Sequence, residues 1–190
     1  EDAGGRVLFQ IGEPWWWVMP DTFAPCLYDA QAKLAWGADR AIISDMRQPM
    51  DASQIALLEK AGAALAASTA DLAQAVREAA QGPTEILLLA FTPTVLDEAM
   101  PELHRANLPT GWRYPTFDRL QLEDYDWLVQ GADGARRRGL EFATEKLGYP
   151  VDRQDYFAGF VLEPEKSETF WLRIDRALDE AAKRGVADRY

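Results

Sequence analysis

One cysteine, one histidine and no long apolar run set the first limits on this 190-residue chain. Cys26 has no partner in the chain, so no internal disulfide forms, and the redox compartment stays open. His104 alone rules out His-rich metal sites and leaves any Ser-His-Asp triad dependent on a single residue. No metal and no cofactor is therefore expected. The longest apolar run, Ile86 to Phe91, is strand-length, far short of the roughly 20 residues that span a bilayer. No membrane span is expected. Basic residues are also scarce, with 20 Lys and Arg against 31 Asp and Glu, a formal charge of −11. A phosphate-backbone binder needs a basic surface, so nucleic acid is excluded as a partner. Neither Gly-x-Gly-x-x-Gly nor Gly-x-x-x-x-Gly-Lys-Ser/Thr occurs, so a nucleotide-binding loop has no direct support.

What is present is a hydrophobic fraction of 48%, enough for one domain with a real core. Val7 to Gly12 reads as a strand buried on both faces. An aromatic-rich loop follows, and Ala30 to Asp39 suits a short helix. Asp51 or Ser53 can cap the helix after Pro49, in which Ile55, Leu58, Ala61 and Leu65 recur at helical spacing. Ser68 restarts the pattern, and Gly82-Pro83 stops it. Glu85 to Phe91 is a second strand, Val95 to Arg105 a short helix, and Phe117 to Leu122 a third strand. Ala132 to Leu147 is a helix, with Arg136-Arg137-Arg138 near its start as a solvated face. Tyr156 to Leu162 is a fourth strand, followed by a helix from Ser167 to about Gly185, after which another strand should begin.

Strands alternating with helices in this way imply parallel pairing and helical crossovers, an α/β fold. A parallel (β/α) barrel is the leading reading, and a flavodoxin-like open sheet also fits the pattern. The chain lacks an initiator Met and is expected to be a fragment of a longer protein, with residues 1–190 forming a single partial barrel.

Three of the four strands end in a carboxylate: Glu13, Glu123 and Glu163. Parallel strands deliver their C-terminal ends to one rim, where barrel enzymes place their sites. Glycoside cleavage needs two such acids, one protonated and one ionised. Each acid also has a plain structural reading, as a helix cap or a solvated loop charge. Asp124 and Asp126 are read as loop-shaping, and Glu165 as a charge near a helix start. Trp15, Trp16 and Trp17 follow Glu13, and Tyr125 and Trp127 follow Glu123. These rings either stack on sugar faces or pack the loops over the barrel mouth. His104 is read as structural or exposed, and Cys26 as unreactive.

Two resemblances follow from these residues. Gly12-Glu13-Pro14-Trp15 resembles the Asn-Glu-Pro signature ending strand four in the large retaining glycoside hydrolase clan. That likeness implies Glu13 as acid/base and Glu163, ending strand seven, as nucleophile, with Glu123 able to substitute for either. The chain would then hold strands four to seven and the start of eight. Gly12 stands where the clan has the Asn that binds the sugar 2-hydroxyl. A closer resemblance covers most of the chain. Phe9 to Trp17 with Pro25 to Asp29, Leu120 to Trp127, and Tyr156 to Leu162 resemble the non-contractile tail sheath TIM barrel of phage and gene-transfer-agent tail proteins. It implies a virion tail location, other tail proteins as partners, and a rim that binds or cuts cell-surface glycan. The alternatives are a purely architectural barrel or another cytosolic α/β enzyme.

Overall fold

The computed structural model describes residues 6–13, 15–159, 167–186 and 188–190. Five strands form one parallel sheet: β1 (Val7–Ile11), β2 (Thr84–Phe91), β3 (Arg119–Glu123), β4 (Gln154–Phe157) and β5 (Asp188–Arg189). Their spatial order is the chain order, β1-β2-β3-β4-β5. A flavodoxin-like or Rossmann sheet reverses direction at a switch point. No reversal occurs here, so the open-sheet reading gives way to part of a (β/α) barrel.

The strand pairing sorts the side chains onto two faces. Ile11, Ile86, Leu88, Ala90, Leu120, Leu122 and Tyr156 share the face that meets the helices, and all are buried in the main core. Each large apolar side chain buried there contributes about 1.5–3 kcal/mol. The other face carries Gln10, Glu85, Leu87, Arg119, Gln121, Glu123 and Asp155. The Gln10 Nε2 amide donates to Gln121 Oε1 at 2.5 Å, reaching from β1 to β3 across β2. Strands two apart lie roughly 9–10 Å from each other, so the two side chains lean toward one another over β2, as they do on the inner, concave face of a barrel sheet. Gln121 Nε2 in turn donates to Asp155 Oδ2 at 3.0 Å, and Arg119 pairs with Asp155 and Asp188.

The helices are α1 (Ala30–Trp36), α2 (Ala52–Ala79), α3 (Thr92–Val95), α4 (His104–Asn107), α5 (Tyr125–Gln130), α6 (Asp133–Leu147) and α7 (Ser167–Arg184). Asp51 caps α2, accepting from the Ser53 and Gln54 amides, while the Gln54 side chain accepts from the Asp51 amide. Ser68, where the apolar pattern restarts, lies inside one continuous helix. The neighbouring Thr69 hydroxyl bonds back to the Leu65 and Ala66 carbonyls and accepts the Trp112 indole N–H at 2.8 Å. Its polar group is satisfied inside an unbroken helix. The N-terminal half of α2 packs Leu57, Leu58 and Ala61 with Leu27, Ile43, Met46 and Leu103 in a second core. Trp16, Val18 and Tyr28 of the aromatic loop therefore pack beside α2, while Trp15 joins the main core. Gly62 permits the approach of α2 to α4, since a Cβ there would lie 2.3 Å from the Arg105 carbonyl oxygen.

Three local expectations need correction. The span Val95 to Arg105 is turns between two one-turn helices, α3 and α4. A separate short helix, α5, follows β3 at once. Arg136 is buried at 2% exposure rather than solvated, because α7 covers it and supplies Glu180. β4 begins two residues early, at Gln154, and ends at Phe157 rather than Leu162, with Ala158 and Gly159 already outside the strand; Glu163 and Glu165 lie outside the described residues. The strand expected after Gly185 is present as β5.

Candidate functional site at the C-terminal rim

The C-terminal ends of β1, β2 and β3 bring four of the singled-out residues together. Glu13 lies two residues beyond β1 in the left-handed region, with φ of 45°, and is exposed. Such backbone is uncommon for a non-glycine residue and is held only where its surroundings require it. Glu123 ends β3 half-buried on the concave face, in register with Phe91 of β2. Burial pushes its carboxyl pKa up, and the nearby charges of Glu13 and Asp126 push in the same direction. The Tyr125 hydroxyl is likewise raised, by burial first and then by Glu123, Asp126 and Glu13. Glu13, Glu123 and Tyr125 therefore sense one another electrostatically.

An aromatic row borders these acids. The Trp15 ring lies 6.4 Å from Phe91, and Phe91 lies 4.8 Å from Tyr125. Gly159, with φ of 96°, lets Tyr125 close down, because a Cβ there would lie 2.5 Å from the tyrosine Cβ. Trp17 is 72% exposed and free of the cores.

Trp16 and Trp127 turn away from the rim. The Trp16 indole N–H donates to the Ala61 carbonyl at 3.0 Å, and its ring meets Trp36 edge-on at 5.7 Å in the second core. The Asn107 side chain secures its backbone, accepting from the Trp16 amide at 2.7 Å and donating to its carbonyl at 3.0 Å. Trp127 lies over Gly139 of α6 and borders an outer cavity of about 250 Å³. Glu163 lies outside the described residues, so its distance from Glu13 is not part of this geometry.

Asp124, read from sequence as loop-shaping, is fully buried on the helix side. Its Oδ1 accepts the Tyr156 hydroxyl at 2.7 Å, and that hydroxyl accepts from Arg136 Nη1 at 3.1 Å. Asp124 Oδ2 and Arg136 Nε are buried without hydrogen-bond partners. Burial raises the Asp124 pKa to about 7, with a smaller push from Glu123, against the opposing pull of Tyr156, Arg136 and Arg184. Strand alternation was the available signal, since Leu120 and Leu122 face the helices and Asp124 continues their phase.

A concave parallel sheet in chain order, with acids and aromatic rings at its C-terminal rim, is the geometry of a TIM-barrel site. The whole chain, residues 1–190, matches the family described as Non-contractile tail sheath protein TIM barrel. The chain belongs to that family. No curated protein and no solved structure matches it. As a tail sheath TIM barrel it is a domain of a phage tail protein, located in the virion tail among other tail proteins. No helix among the described residues is long and apolar enough to cross a membrane. No cluster of three or more His, Cys, Asp or Glu among them has the arrangement of a metal site.

Proposed function

We propose that this tail sheath barrel presents its C-terminal rim to a host-surface saccharide, with Trp15 and Trp17 as stacking rings and Glu13 and Glu123 as polar partners. The observation that carries the reading is the raised pKa of half-buried Glu123 beside Glu13. Two acids held in different environments are what glycoside cleavage requires, one kept protonated and the other ionised. Glu123, whose carboxyl burial and the neighbouring acids push toward the protonated form, is then the candidate proton donor, with Glu13 as the second acid of the rim. Glu163 remains a candidate nucleophile by resemblance.

A second reading, a non-catalytic docking barrel, draws support from Trp16 and Trp127, which pack into protein, and from cavities that lie on the outer helices. A glycan array separates the two. The first reading expects binding that Trp17→Ala weakens, and any hydrolysis to fall at least about a hundredfold in Glu123→Gln. Absence of binding across the array, with the intact tail protein as the probe, favours docking.

A further inference from the structure

The only histidine and a lysine of α6 meet far from the acidic rim. Lys146 Nζ lies 2.7 Å from His104 Nδ1 and 3.0 Å from the His104 carbonyl oxygen. Both residues line a cavity of about 530 Å³ between α2, α4 and α6, with Ala63, Ala66 and Pro109 among its walls. Lysines usually sit in water or opposite a carboxylate. Among the described residues, no carboxylate lies within 4 Å of this one. The two nearby acids are occupied by Arg105, which pairs with Glu59 at 2.5 Å and also with Glu102.

We propose that Lys146 is an imine-forming nucleophile for small aldehydes entering this cavity, with His104 as its positioning residue. A neutral amine has two hydrogens and one lone pair. With the His104 ring proton on Nε2, Nδ1 and the His104 carbonyl oxygen both accept from Lys146, and the lone pair of the neutral amine is directed away from these two acceptors. Burial lowers the Lys146 pKa to about 8, Arg105 adds to the effect, and Glu59 opposes it. Burial also lowers His104 to about 4, aided by Lys146 and Arg105 and opposed by Glu102. The imidazole is therefore neutral at pH 7, and in the tautomer with its proton on Nε2 the Nδ1 lone pair accepts from Lys146.

In the reaction the nitrogen lone pair attacks the carbonyl carbon and a C–N bond forms. One nitrogen proton passes to the former carbonyl oxygen, giving a carbinolamine. The C–O bond then breaks, the second nitrogen proton leaves with the departing oxygen as water, and a C=N bond remains. No oxidant or reductant takes part.

The test treats the folded chain with limiting glycolaldehyde and cyanoborohydride, which traps each imine as a stable alkylamine, and reads every lysine by peptide mass spectrometry. At pH 7, Lys146 should be labelled at least about tenfold faster than exposed Lys33 and Lys60, because burial favours its unprotonated form. The Lys146 rate should level off near pH 8. His104→Gln, which keeps an acceptor, should retain the selectivity, and His104→Leu should lose it. Labelling of Lys146 no faster than Lys60 overturns the proposal without recourse to any variant. Equal selectivity in both His104 variants overturns the role of the histidine.

Discussion

Asp124→Asn should make the stability of this domain markedly less dependent on pH. In the folded chain the Asp124 carboxyl is fully buried and titrates near pH 7, against 3.8 for an ordinary aspartate. Its folded pKa is the raised one. Stability is thus fully present below 3.8, where both states hold the proton, and is lost as pH rises toward 7, because the unfolded chain ionises first. Each pH unit in that window removes about 1.4 kcal/mol. From pH 5.5 to 7 the loss from this group is about 2 kcal/mol, and across the whole window on the order of 4 kcal/mol. Asparagine keeps an acceptor for the Tyr156 hydroxyl but buries an amide N–H₂ where Oδ2 has no partner. That costs about 1–3 kcal/mol at every pH. The variant should be the less stable protein at pH 4 and should gain on the wild type by about 4 kcal/mol by pH 8. Urea unfolding followed by tryptophan fluorescence at half-unit pH steps measures this directly. Parallel stability curves for the two proteins would refute the assignment of a proton to Asp124 near neutrality.

Other substitutions test the packing. Gly62→Ala should destabilise by about 1–3 kcal/mol in urea unfolding, since the new methyl meets the Arg105 backbone rather than a movable side chain. Asp51→Ala removes the side-chain acceptor of the Ser53 and Gln54 amides at the α2 cap and should cost about 1 kcal/mol by the same assay. Trp16→Ala should lower the thermal midpoint by several degrees, because it removes the Ala61 hydrogen bond and part of the second core, whereas exposed Trp17→Ala should leave stability within about 0.5 kcal/mol. A Trp17→Ala variant as unstable as Trp16→Ala would contradict the placement of these two rings.

Much of the fold was legible because parallel strands and amphipathic helices leave periodic marks. β1, β2 and β3 appear within two residues of their apolar runs, and α6 and α7 begin and end at the expected punctuation. The errors have local causes. Val95 to Arg105 has helical composition, but Pro101 interrupts it, and the chain makes turns between Asp97 and Leu103. Arg136 looked solvated because a run of three arginines usually is. α7 lies far along the chain, and its Glu180, together with Tyr156 of β4, makes burial of that guanidinium tolerable.

The rim acids were visible in the sequence because each follows a strand, and parallel strands end on one side. Their environments were not, since a pKa depends on burial and on charges brought in from other strands. The same limit explains Asp124, adjacent in sequence to Glu123 yet on the opposite face, and Lys146, whose partner His104 lies 42 residues away.

Hydrophobic period, turn residues and the succession of strand and helix specify an α/β chain with like-oriented strands, because those features act over a few residues each. Strand order, the concavity of the polar face, the division of three consecutive tryptophans between protein interior and solvent, and the meeting of lone His104 with Lys146 arise only when distant segments pack. Long-range contact energies, absent from any local stretch of sequence, select among the arrangements that local preference allows.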